Sequence, residues 1–223
     1  MELQVEESKA GNQLSDGGSS SVLNSNLLAF LSGLSRQDKQ YIKDSMRWAE
    51  YQADLRSDRK RNPVAWFEFY SGGLWSVGWG LEQDPVIVVD KNFSGDLLDS
   101  WASSLSTLLS REKIRRMRET FQLLEFHPAG MDLFAQSTRE WGDFRFSPAQ
   151  YNRHSELEIV ISNVRLLSSN WASRYLFWDL EYAKSQLDIQ ARRFVIRSRT
   201  MDKYRADLTE AVREMRQREI ELA

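Results

Sequence analysis

The sequence predicts an α+β protein in which N-terminal amphipathic helices pack on one face of a C-terminal antiparallel β-meander, followed by a final C-terminal helix. Apolar residues recur with a helical period over about 25–127, and the period changes to two over about 141–199. Such segregated runs of helices and strands are typical of α+β proteins. No linker composition separates the two halves, and each has an apolar face for the other to cover. We therefore expect a single domain over about 25–223.

The N-terminal part predicts a tail and then a long helix. Residues 1–24 are rich in Gly, Ser, Asn and Glu, a composition typical of a disordered polar tail. A short apolar stretch, Asn26 to Leu34, follows. Ser35 with Asp38 three positions later resembles a capping box, so a helix is expected from about Arg36 to Ser57.

An aromatic segment comes next. Asn62 and Pro63 predict a helix start, because proline is tolerated at the first helical position. We expect this helix to break or bend near Gly72–Gly73 and the chain to be extended by Trp79. The β-branched run Val86 to Val89 predicts a buried strand.

The remaining elements follow from periodicity. Apolar stripes from Leu97 to Leu109 and from Ile114 to Leu124 predict two helices, the second capped by Ser110. Four strands are expected in the meander, with a β-bulge where the alternation shifts. The strands fall near 144–147, 156–161, 176–183 and 187–196, the bulge at Arg192–Arg193, and the terminal helix over about 201–222.

Composition excludes several kinds of chemistry. The 223 residues include no Cys and two His, which argues against disulfide scaffolds, thiolate metal sites and cysteine nucleophiles. Thirty basic residues against 32 acidic ones argue against nucleic-acid binding, because phosphate contacts need a basic surface. We expect no metal site and no cofactor.

The N-terminus is acidic and polar, unlike a signal peptide, and no apolar run is long enough to span a membrane. We therefore expect a cytoplasmic protein or one exported without a cleaved signal peptide.

Two groups of residues are candidates for partner or membrane contact. The aromatic segment could form a binding anchor or a membrane-interface belt, and its alternative role is ordinary core packing. A dense basic cluster could contact an acidic partner or an anionic membrane surface, or simply face water. The candidates are Trp66, Phe69, Tyr70, Trp75, Trp79, Arg192, Arg193, Arg197 and Arg199.

The sequence contains few candidate catalytic residues. His127 precedes a proline in a predicted turn, and His154 lies between two predicted strands. Either could act as a general base in a hydrolase, since imidazole titrates near neutrality. No nucleophile elbow and no phosphate-binding loop accompanies them.

The run LSRQDKQYIKDSMRWAEYQAD, followed by AWFEFY and SVGW, resembles bacterial proteins to which no activity is attached. The resemblance covers roughly residues 27 to 80 and implies a bacterial source without implying a site.

Three functions remain open. The leading hypothesis is a non-enzymatic interaction or assembly protein that binds a protein partner or itself, given the arginine and tryptophan content. The alternatives are a membrane-active effector or toxin and a hydrolase that uses His127 or His154.

Overall fold

The computed structural model describes residues 18–167, 185–215 and 219–222. Six helices are present in these ranges: α1 (Arg36–Asp54), α2 (Pro63–Ser76), α3 (Leu97–Ser104), α4 (Arg111–Glu125), α5 (Pro128–Trp141) and α6 (Ser198–Ala211). The strands are β1 (Ser19–Leu23), β2 (Asn26–Phe30), β3 (Gly80–Leu81), β4 (Val86–Phe93), β5 (Phe144–Tyr151), β6 (Leu157–Leu167), β7 (Ser185–Ile196) and β8 (Glu219–Glu221).

The eight strands form one sheet in the order β3-β7-β6-β5-β2-β1-β8, and β4 pairs with β7 on the same side as β3. Every pairing is antiparallel except β2 with β5, which is parallel. The mixed α+β class predicted from the change of period is therefore present, with a mostly antiparallel sheet.

Helices cover both faces of the sheet, whereas the sequence predicts helices on one face. One apolar cluster joins the sheet to α3, α4 and α5, and includes Trp101, Phe121 and Phe146. The other joins the opposite face to α1, α2 and α6, and includes Trp66, Phe67 and Ile159. The long central strands explain the difference: β6 is buried along most of its length, which requires cover on both sides.

The first strand lies inside the range expected to be a polar tail. Ser20 and Ser21 of β1 are fully buried. The Ser20 Oγ lies 2.7 Å from the Thr120 Oγ1 and accepts a hydrogen bond from Arg116 at 3.0 Å. Buried serines are tolerated here because partners distant in the sequence satisfy their hydroxyls.

Helix α2 continues through Gly72–Gly73, where the sequence predicts a break or bend. A Cβ added at Gly73 would lie 2.7 Å from the Ala49 Cα of α1. The glycine therefore permits close contact between two helices and does not end one.

The C-terminal segment also differs from its prediction. Helix α6 ends at Ala211, a 3-10 turn covers Arg213–Met215, and β8 then pairs with β1. Lys43 of α1 donates to Glu219 at 2.6 Å and also contacts Glu221, while Arg47 contacts Glu219. These ion pairs attach β8 to α1. Hydrophobic periodicity does not predict them, because the paired residues are far apart in the sequence.

Strand register corrects one further prediction. The pairing of β6 with β7 runs without a shift from Leu157↔Ile196 to Leu167↔Gln186, so no bulge interrupts it at Arg192–Arg193. The irregularity lies instead between Asp90 and Phe93 in the pairing of β4 with β7. The strand predicted near 176–183 falls outside the described residues.

Candidate functional site

The structure separates the aromatic candidates into core and surface residues. Trp66 and Tyr70 are fully buried and Trp79 is 3% exposed, so all three pack inside the protein. Phe69 is half-buried beside the Arg56 guanidinium, with 5.9 Å between the guanidinium carbon and the ring centroid. Trp75 is 49% exposed and is the member of this set that solvent reaches most.

A buried charged cluster explains why two of these rings lie in the core. Arg145 is fully buried, donates to Glu50 at 3.0 Å, and lies 5.2 Å from the ring centroids of both Trp66 and Tyr70. Arg59 donates to the other oxygen of Glu50 at 3.0 Å. Burial acts to raise the pKa of Glu50, but the two guanidinium groups outweigh it and the pKa is lowered. This cluster lies in the interior, and the little surface it exposes belongs to Glu50, which is 9% exposed.

The basic candidates are also divided. Arg192 is buried against the Phe67 ring and pairs with Glu68, and Arg193 donates to the Leu108 carbonyl at 2.7 Å. Arg197 and Arg199 are exposed. The four arginines therefore do not form one continuous basic surface.

Each histidine accepts one hydrogen bond from a neighbouring residue in the described chain. His127 is the N-cap of α5, and its Nδ1 accepts a hydrogen bond from the Gly130 amide at 3.1 Å. His154 is exposed, and its Nε2 accepts from the neighbouring Arg153 at 3.2 Å. In the described part of the chain no serine or carboxylate hydrogen-bonds to either imidazole.

A polar cleft lies between the N-terminal end of α4 and the strands β5, β6 and β7. Its cavity volume is about 310 Å³. The Lys113 side chain is 2% exposed, and its ammonium pairs with the Glu158 carboxylate. Mixed donors and acceptors complete the lining: Glu82, Ser110, Gln150, Asn152, Arg153, His154 and Arg193.

The lysine in this cleft has an unusual pKa. Burial lowers the pKa of Lys113 to about 8, the nearby Arg193 guanidinium also lowers it, and Glu82 acts in the opposite direction. A perturbed group in a cleft is a candidate functional group. Sequence reasoning missed Lys113, because a lysine among the charges of 111–118 is typical of a solvated helix face.

A second feature is the outer edge of β4, which pairs with no strand of the described chain. Ile87 is 66% exposed and Val89 is 54% exposed on one face of this strand. An apolar groove of about 300 Å³ runs beside them and includes Pro63 and Val64 of α2. The sequence predicts the β-branched strand but not its exposure, because β-branched runs are usually buried.

Neither a cluster of metal ligands nor a membrane-spanning helix is present in residues 18–167, 185–215 and 219–222. No group of three or more His, Asp or Glu side chains is arranged to hold a metal ion there. In the same ranges, none of the helices combines the length and the apolar character that crossing a membrane demands.

Comparison with known proteins adds little. No protein-family model and no curated protein matches the chain. Among solved structures, the Evf virulence factor is similar at 9% sequence identity and a TM-score of 0.33, over 86% of this chain and 80% of that one. A structural similarity at this level supports no conclusion about the fold or the function of this chain.

Proposed function

We propose that this protein is a self-associating interaction protein whose contact surface is the outer edge of β4. The observation that supports the proposal is the exposure of Ile87 and Val89 on a strand edge that no described strand covers. Unpaired backbone groups beside apolar side chains form a template for pairing with another strand. Proteins that remain monomeric usually protect such an edge with charges or proline. Around β4 these residues stand at the ends of the apolar run, at Pro85, Asp90 and Lys91, and Val86 to Val89 contains neither.

A second copy of the chain fits this edge. Two β4 strands can pair antiparallel about a two-fold axis normal to the sheet at Val88. Ile87 of one copy then lies opposite Val89 of the other, so each copy covers the apolar pair of its partner.

The charges that flank the apolar run of β4 and the groove beside it also favour a second copy of the chain as the partner. Asp84 and Lys91 are exposed at the two ends of the run and form no ion pair within the described residues. Antiparallel pairing brings Lys91 of one copy near Asp84 of the other. The groove beside Val64 lies on the same face as Ile87 and Val89, so apolar side chains of the second copy can enter it.

Molar mass in solution tests the proposal. We expect the wild-type chain, whose mass is 26.0 kDa, to show a dimer by size-exclusion chromatography with light scattering. The double variant Ile87→Lys/Val89→Lys should elute as a monomer, because paired edges would bury four ammonium groups without partners. Both positions are exposed, so the fold should be retained.

The matched control is Phe126→Lys, which places a lysine at an apolar position that is 86% exposed and far from β4 in sequence. It should leave the dimer intact. The proposal is wrong if the wild type stays monomeric over a concentration series, or if Phe126→Lys dissociates the dimer equally. Leakage of anionic liposomes caused by the wild type and abolished by the double variant would assign the edge to a membrane instead.

A further inference from the structure

The Lys113 ammonium in the polar cleft has unused hydrogen-bonding capacity. One of its three N–H groups donates a hydrogen bond to Glu158 Oε1. No other acceptor among the described residues receives a hydrogen bond from the Lys113 ammonium. Glu158 Oε1 also accepts from Gln150 at 3.5 Å, whereas Glu158 Oε2 receives no hydrogen bond from the described chain. A buried amine and a buried carboxylate therefore line the same cavity with spare donors and a spare acceptor.

We propose that this cleft binds a small carbonyl compound that carries a carboxylate, and that Lys113 forms an imine with its carbonyl carbon. This inference is independent of the self-association proposed for β4. The cavity of about 310 Å³ is large enough for a short 2-oxo acid.

The chemistry balances within the cleft. The ammonium of Lys113 transfers one proton to Glu158, and the free amine attacks the carbonyl carbon. The carbonyl oxygen takes up that proton to give a carbinolamine, which loses one water as the C=N bond forms. The protonated imine carries the same single positive charge as the original ammonium.

Burial makes the amine available for this step. With a pKa of about 8, roughly one tenth of Lys113 is neutral at pH 7. An ordinary lysine, whose pKa is higher, has far less neutral amine at that pH. Glu158 lies in contact with Nζ and is positioned to carry the proton.

Arg153 provides the charge for the carboxylate. Lys113 pairs with Glu158, and Arg193 lies 3.5 Å from Glu82, so these four charges offset one another. Arg153 is exposed at the rim of the cleft and pairs with no acid in the described ranges. The excess charge of the cleft is therefore +1, which suits a monocarboxylate.

Reductive trapping on the folded wild-type protein tests the inference. The probe is glyoxylate at low concentration with sodium cyanoborohydride at pH 7, followed by peptide mapping of all eight lysines by mass spectrometry. We expect Lys113 to be modified at least ten-fold faster than the exposed lysines Lys60 and Lys91. Lys39, whose pKa is also lowered by burial but which lies outside the cleft, should react no faster than Lys60.

Two variants separate binding from simple amine reactivity. Arg153→Ser should slow trapping of glyoxylate at Lys113 at least five-fold and leave trapping of propionaldehyde, which has no carboxylate, unchanged. Glu158→Gln should slow both, because the proton acceptor is lost. Equal labelling of Lys113, Lys39 and Lys60 would overturn the proposal, and so would an equal effect of Arg153→Ser on both probes. The mapping on the wild type needs no variant to fold.

Discussion

At the scale of single residues, buried charge is the dominant feature of this protein. Arg145 has no exposed surface and makes its ion pair with Glu50 beside the Trp66 and Tyr70 rings. A guanidinium can be buried here because a carboxylate and two aromatic faces replace part of its hydration. Removing one member of such a group leaves the others buried with too few partners of opposite charge.

We predict that Arg145→Ala lowers the free energy of unfolding by about 3–5 kcal/mol, because the charge of Glu50 loses one of its two guanidinium partners inside the protein. Urea denaturation followed by circular dichroism measures the loss. Without Arg145, the Arg59 guanidinium faces two buried carboxylates, Glu50 and Asp143. Adding Glu50→Gln to Arg145→Ala should therefore recover part of the loss, since the excess negative charge is removed.

The control for this prediction is Arg61→Ala. The Arg61 side chain is 88% exposed and pairs with Asp58 on the surface, so its loss should cost less than about 0.5 kcal/mol. A cost for Arg145→Ala as small as that of Arg61→Ala would show that the buried pair contributes nothing.

At the scale of elements, the contact between α1 and α2 depends on one glycine. Gly73 faces the backbone of α1 at Ala49, where a side chain has no room. Gly72, its neighbour in the same helix, has open space around the position of a Cβ. The two glycines therefore have opposite roles within one helix.

We predict that Gly73→Ala destabilises the fold by about 1–3 kcal/mol, because the new methyl group forces α1 and α2 apart. Gly72→Ala should stabilise it by about 0.5–1 kcal/mol through helix propensity alone. Thermal unfolding of both variants compares them directly. Two changes of the same sign would contradict the close contact at Ala49.

At the scale of the whole molecule, one sheet unites both ends of the described chain. Beyond β5 the strand order continues with β2, β1 and β8. Strands β1 and β2 come from the N-terminal part of the described chain and β8 from its C-terminal part. Glu219 of β8 is held by Lys43 and Arg47 of α1. Burial acts to raise the pKa of Glu219, but these two cations outweigh burial and the pKa is lowered.

Acid should therefore weaken the fold at β8 and at the buried cluster. Glu50 and Glu219 both have a folded pKa below the ordinary value of 4.5, so their stabilisation is fully present above about pH 4.5. It is lost as the pH falls through the folded pKa of each group. We predict that the free energy of unfolding decreases on acidification below pH 4.5, and that Glu219→Gln makes this decrease shallower.

Urea unfolding curves collected from pH 7 to pH 3 measure the effect. Glu214→Gln, at an exposed position in the 3-10 turn, is the matched control and should leave the pH dependence unchanged. If Glu219→Gln and wild type lose stability in parallel, the ion pairs of β8 do not contribute to acid sensitivity.

Local signals in the sequence predict the helix starts well. Ser35 and Ser110 cap α1 and α4 as expected, accepting from the amides of Asp38 and Lys113. The period of two likewise predicts β5, β6 and β7. These features depend on residues close together in the chain, and a sequence pattern can therefore reveal them.

The sites could not be predicted in the same way. The sequence around Lys113 is typical of a charged surface, and only the fold shows that Glu158 of β6 pairs with it. The sequence of Val86 to Val89 is typical of a core strand, and only the sheet order shows that one edge of this strand is open. For Trp66 the sequence allows a surface anchor as well as the commoner core role, and the structure places it in the core beside the buried Arg145.

By itself, then, the sequence determined the α+β class, the helix caps and the exclusion of thiol chemistry. Only the tertiary structure decided that helices cover both faces, that serines and glutamates form strands β1 and β8, and where the polar cleft and the open edge lie. The physical reason is that burial of a polar group depends on partners far away in sequence, such as Thr120 for Ser20 and Lys43 for Glu219. Hydrophobic periodicity shows which face of a single helix or strand is apolar. It does not show which other element packs against that face.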